Sequence, residues 1–164
     1  MKRRQILSVD FDGVLHPTTE GAQRRVAVPH FGWVQHLEQL LASQPEVMLL
    51  IHSTWRHTHD LEELRLLLGD TLGPRVVAAA PAGDSRWRGI QEWAGEQTYE
   101  FDLLILDDQP DEFPETMPFL LIACDPSAGL SDPWVQRSIK QWLKQPQSRG
   151  IHDEHGFPPQ AGRC

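Results

Sequence analysis

Strands alternating with amphipathic helices predict an α/β domain with a parallel sheet and right-handed crossovers. Three observations carry this expectation. Apolar, β-branched runs recur at residues 4–10, 46–52 and 101–106, the pattern of strands covered on both faces. Between them, apolar residues return at helical spacing behind polar caps. Each run also stops at a polar tip, and ligands of open parallel sheets bind beyond the carboxyl ends of the strands.

The elements follow in order. The first strand covers residues 4–10 and runs into Asp10-Phe11-Asp12-Gly13. Residues 13–30 are polar, broken by Gly and Pro, and lack a period, so they are expected to lie as a flap over the site. Phe31, Val34, Leu37, Leu40 and Leu41 then mark a helix that ends at Pro45. The second strand, residues 46–52, stops at Ser53-Thr54-Trp55-Arg56. Asp60 and Glu63 have the spacing of a capping box for a helix carrying Leu61, Leu64, Leu67 and Leu68, which Gly69 is expected to close. Residues 75–79 form a short third strand. Asp84 or Ser85 caps the next helix, with Trp87, Ile90, Trp93 and Ala94 on one side. The fourth strand, 101–106, delivers Asp107-Asp108, and the fifth spans 118–123. Ser131-Asp132-Pro133 opens the last helix, whose buried stripe is Val135, Ile139, Trp142 and Leu143. Residues 1–145 are thus expected to form the domain, and 146–164 a loosely held tail rich in Pro, Gly and polar residues.

Composition limits the function classes. A chain of 164 residues can bury a core without disulfide or metal staples. The net charge of −8 argues against general polyanion binding, which needs a surplus of Lys and Arg. The basic start Met1-Lys2-Arg3-Arg4 leads into a run interrupted by Asp10 and Asp12, so neither a secretory signal nor a membrane partner is expected. Only Cys124 and Cys164 are present, which points to a reducing, cytoplasmic location. No HExxH or CxxC spacing organises the histidines into a zinc site.

The chemistry is expected at Asp10 and Asp12. Residues i and i+2 of a strand face the same way, and two carboxylates facing one small volume resist ionising together unless a cation accompanies them. A divalent metal is the candidate. Further groups stand at successive element ends: Ser53 and Thr54 after the second strand, Arg86 in a helix first turn, Asp107 and Asp108 after the fourth strand. Cations in a first turn oppose the helix dipole, which favours a functional reading of Arg86 or Arg88. His16, His52, His57 and His59 fall on the site side of the expected sheet and read as surface or packing residues. Trp55 lies beside a motif as a candidate stacking surface, and Arg56 as a charge that could steer substrate.

Asp10-Phe11-Asp12-Gly13-Val14-Leu15, Ser53 or Thr54, and Asp107-Asp108 resemble, in that order, motifs of the haloacid dehalogenase-like (HAD) superfamily of phosphohydrolases. Ser-Thr-Trp-Arg after the second strand and Gly129-Leu130-Ser131 are also similar to the small HAD domains grouped with Swiss Army Knife RNA-repair proteins. The resemblance implies a three-layer, Rossmann-like fold with a central, mostly parallel five-stranded sheet and no cap domain. It further implies a phosphatase in which Asp10 attacks phosphorus and Asp12 moves protons. Mg²⁺ would be held by Asp10, Asp12 through its backbone carbonyl, and Asp107 or Asp108. Ser53 or Thr54 would bond a phosphoryl oxygen. Arg86 stands where the family has Lys, with Arg88 as the alternative; Arg56, Trp55 and Arg88 would meet the substrate. The gaps between motifs are too short for a cap, so an open cleft is expected, suited to a nucleotide, a nucleic-acid end or a phosphoprotein, or covered by a neighbouring subunit of an oligomer. The Arg in place of Lys also admits a weakly active module that binds a metal or partner.

Overall fold

The computed structural model describes residues 3–145. A five-stranded sheet of order β3-β2-β1-β4-β5 forms its centre, from β1 (Arg4–Val9), β2 (Met48–Ile51), β3 (Val76–Ala79), β4 (Phe101–Asp107) and β5 (Leu120–Ala123). Each neighbouring pair is parallel. The helices are α1 (Glu20–Val26), α2 (Val34–Leu41), α3 (Leu61–Leu72), α4 (Arg86–Gly95) and α5 (Pro133–Lys144).

Strand alternation sorts the core into two layers. Leu7, Val9, Leu49, Ile51, Leu104 and Leu106 pack with Leu37, Leu64, Leu68, Val135 and Ile139, so α2, α3 and α5 cover one face. Ile6, Leu50, Leu103 and Ile105 pack with Ile90, Trp93 and Phe113, so α4 covers the other. No gap between strands holds a separate folded unit, and the three-layer, capless α/β architecture is as expected. No helix among the described residues is long and apolar enough to cross a membrane.

Local chemistry sets the element ends. Asp60 and Glu63 form the capping box in both directions, at 2.9 and 2.8 Å. Of the two cap candidates for α4, the Ser85 side chain accepts from the Arg88 backbone N–H. Asp132 caps α5 with Pro133 in the first turn.

Several boundaries differ from the sequence reading: β2 spans Met48–Ile51 rather than 46–52, and β5 Leu120–Ala123 rather than 118–123. The flap contains the short helix α1, capped by the Thr19 side chain. The helix expected from Phe31 begins at Val34, because Phe31 lies in the left-handed region with φ 58°. Gly69 does not close α3 but kinks it, with φ 80° and ψ 179°, and the chain resumes its helical path to Leu72. The expected tail, 146–164, lies outside the described residues.

Candidate active site at the sheet switch point

The chain leaves β1 for β2 on one side and later crosses to β4 on the other. The switch point therefore lies beyond the carboxyl ends of β1 and β4, where a crevice forms in such sheets. Val9 is in register with Leu106, and the Asp10 N–H donates to the Leu106 carbonyl at 3.0 Å. Asp10 and Asp107 are thereby brought side by side. Both prolong the rows of side chains that face α4, and α4 delivers Arg86 from that side.

Arg86 Nη1 lies 2.9 Å from Asp10 Oδ2, 2.8 Å from Asp107 Oδ1 and 3.9 Å from Asp108 Oδ1. Asp10, Asp107 and Asp108 each offer an oxygen within 4.8 Å of the others. Burial, then the charge of Asp107, pushes the Asp10 carboxyl up to about 8 against the pull of Arg86. Burial also raises Asp108. Against its own burial, Asp107 is held below the usual carboxylate range by hydrogen bonding to His52 and by Arg86. Arg86, although burial works against its charge, is held above its usual value by Asp10 and Asp107. Arg86 brings one positive charge to three clustered carboxyl groups, and their hard oxygen donors are those that Mg²⁺ takes. The donor set fits that ion.

Gly13 makes this packing possible. Its φ is +76°, and a Cβ there would collide with the Asp108 carboxylate. Thr18 from the flap donates to Asp108 Oδ2 at 3.1 Å.

Asp12 stands apart from the cluster. His16 Nε2 lies 2.9 Å from its Oδ1, and Trp55 Nε1 donates to its Oδ2 at 2.9 Å. The His16 hydrogen bond holds Asp12 below its usual value, and Trp55 adds to it against burial. The two acids of the first motif thus occupy opposite electrostatic settings rather than one shared volume.

The remaining expected site residues are distributed unevenly. Ser53 is fully buried, and its hydroxyl accepts from the Trp55 N–H at 3.3 Å, opening the 3-10 turn Thr54–His57. Thr54 is exposed. Arg56 is half-buried, with Nη1 donating to the Ser53 carbonyl at 3.0 Å, while its buried Nε has no partner among the described residues. Arg88 is exposed, and its side chain makes no ion pair among the described residues. Of the two arginines, it is Arg86 that meets the carboxylates. One side of Trp55 stacks on His59, with ring centroids 5.3 Å apart, so the residue serves Asp12 and its own aromatic packing.

The expected open cleft is closed. Asp10 and Asp107 have no exposed surface, and the Arg86 side chain keeps only 11%. With no cap present, Arg86 lies directly against Asp10 and Asp107, and Thr18 of the flap meets Asp108.

Three site residues escaped the sequence reading. Ser8 Oγ lies 2.7 Å from His52 Nδ1, and His52 Nε2 lies 2.8 Å from Asp107 Oδ2. Burial holds His52 below its usual range, so the neutral ring donates from Nε2 to Asp107 and accepts from Ser8. His16 is the third. His16 and His52 therefore do more than fill space. The available signals were position: His52 follows β2 in the row of Leu50, and His16 comes four residues after Asp12.

Neither the curated proteins nor the solved structures offer a match to the chain. The family model of the HAD domain in Swiss Army Knife RNA repair proteins matches residues 6–135, from β1 into the first turn of α5 and including every carboxylate of the site. With that span and this arrangement of acids at the switch point, the chain belongs to the HAD superfamily, in the group of HAD domains found in Swiss Army Knife RNA repair proteins.

Proposed function

We propose that the protein is a Mg²⁺-dependent phosphomonoester hydrolase acting through an aspartyl-phosphate on Asp10. The superfamily is one of phosphohydrolases, and the observation that carries the reading is the gathering of Asp10, Asp107 and Asp108 about Arg86 at the switch point. In the first half-reaction an Asp10 oxygen bonds to phosphorus, the ester P–O bond breaks, and the departing oxygen takes a proton from the acid form of Asp12, a minor form in the ligand-free fold because His16 and Trp55 favour the carboxylate. In the second, water attacks phosphorus, Asp12 takes a proton from that water, and the bond from Asp10 to phosphorus breaks. Asp12 ends in the protonation state in which it began.

Asp10, the Asp12 carbonyl and Asp107 or Asp108 would hold Mg²⁺, which when bound would supply charge neutralisation between nucleophile and phosphate. Arg86 would move from the carboxylates to the equatorial phosphoryl oxygens, where it offers forked donors that Lys lacks. The Ser53 hydroxyl accepts locally and keeps its own hydrogen for a phosphoryl oxygen; Thr54 is the exposed alternative.

The substrate classes are a nucleotide, a nucleic-acid end or a phosphoprotein. Because the matched family is described for RNA repair proteins, a terminal nucleic-acid phosphate leads, and the net charge of −8 favours contact with an end over a long polyanion. A reducing cytoplasm is the proposed compartment, in keeping with the buried free thiol of Cys124. One observation favours a second reading, a metal- or partner-binding module of low turnover: Arg86 ties up the nucleophile itself.

The experiment is hydrolysis of an aryl phosphate with and without Mg²⁺. Asp10→Asn is expected to abolish the Mg²⁺-dependent rate while the circular dichroism spectrum stays that of the parent. Equal turnover by the two proteins would remove Asp10 from the mechanism.

A further inference from the structure

We infer that His16 is a positioning residue that, with Trp55 as its counterpart, holds the Asp12 carboxyl in the orientation required for proton transfer to the departing oxygen. The inference rests on the role proposed for Asp12 and extends it to residues outside the acidic motifs.

Each Asp12 oxygen receives one donor: His16 Nε2 at 2.9 Å and Trp55 Nε1 at 2.9 Å. A carboxyl held by both oxygens cannot rotate without breaking a bond, yet each oxygen retains a second lone pair on which a proton can ride. The donors are themselves fixed. His16 is fully buried, and the Phe31 N–H donates to its Nδ1 at 3.1 Å. That bond requires Nδ1 to be unprotonated, so the ring proton sits on Nε2, facing Asp12. A ring flip would lose both bonds.

Phe31 presents its N–H from a left-handed backbone, φ 58°, that residues with side chains seldom adopt, and such conformations cluster at functional sites. Trp55 is wedged among Phe11, Phe31, His16 and His30, with centroids 5.3 to 5.8 Å away. The clamp explains why Asp12, two residues from Asp10, makes no bond to Arg86 although its side chain retains 32% exposure. Freed of its donors, that carboxyl could swing toward the guanidinium and lose its aim at the leaving oxygen.

Leaving-group dependence separates positioning from a merely structural role. 4-Nitrophenolate departs readily without a proton, whereas phenolate is a stronger base and depends on the acid. With Mg²⁺ present, His16→Asn, which keeps an acceptor for Phe31 and loses the donor to Asp12, is expected to lower kcat/KM on phenyl phosphate about 30-fold and on 4-nitrophenyl phosphate by less than about threefold. His16→Gln, whose amide nitrogen reaches as far as Nε2, is expected to recover most of the loss. Trp55→Phe should show the same skew and decides the matter if His16→Asn does not fold by circular dichroism. Equal losses on the two esters, or His16→Gln behaving as His16→Asn, would overturn the inference while leaving the phosphatase reading intact. Absence of Mg²⁺-dependent turnover by the parent would overturn both.

Discussion

Asp10 and Asp12 carry opposite shifts because the backbone turns between them. Asp10 enters the buried crevice beside Asp107 and Arg86, while Asp12 meets two N–H donors. For Asp10 the consequence is a pH dependence of stability. Its carboxyl ionises near 3.8 in the unfolded chain and at about 8 in the metal-free fold. Between those values the folded state binds more protons, so this group lowers stability as pH rises from about 4 to 8. Asp10→Asn is expected to flatten the fall, as measured by urea denaturation in EDTA at several pH values. An unchanged slope would show that Asp10 is ionised at low pH in the fold. Arg86 and Arg88 separate in the same way. Arg86→Ala leaves buried carboxylates without their cation and is expected to destabilise by about 3 kcal/mol and to lose hydrolysis. Exposed Arg88→Ala should stay within about 0.5 kcal/mol of the parent and retain its rate. Both were candidates in the sequence: two positions apart in a helix they point about 200° apart, and only the docking of α4 on the sheet decides which of them meets the acids.

At the scale of elements, turns and caps decide how the acids are presented. Gly13 combines a φ of +76° with contact against Asp108. Gly13→Ala is expected to cost about 1–3 kcal/mol from backbone strain alone, with hydrolysis falling as Asp108 is displaced; thermal denaturation and aryl phosphate turnover check the two effects. The capping box at Asp60 and the cap and proline at Asp132-Pro133 were legible, since each depends on residues within one turn of chain. The start of α2 was not. Its apolar spacing includes Phe31, but the N–H of that residue bonds the ring of His16, fifteen positions away in sequence. The short helix α1 was hidden for a related reason: none of its described side chains from Ala22 to Val26 is buried, and it has no apolar stripe to announce it.

For the whole molecule, the order β3-β2-β1-β4-β5 gathers acids from both halves of the chain at one crevice. An ion bound there stabilises the folded state by RT ln(1 + [L]/Kd). Millimolar Mg²⁺ is therefore expected to raise the melting temperature above that in EDTA, and Asp107→Asn to lose the rise, as followed by scanning calorimetry. A melting temperature indifferent to Mg²⁺ would show that the folded protein does not bind the ion at that concentration. The sequence by itself determined the parallel α/β fold, the strand ends and the acidic motifs, because strand and helix periods and local caps are short-range properties. Only the tertiary structure decided that Arg86 meets the carboxylates, that His52 and Ser8 brace Asp107, that His16 and Trp55 hold Asp12, and that the crevice is closed. Those facts depend on register between strands far apart in sequence and on which buried polar groups must find partners in one another, and neither leaves a period in the chain.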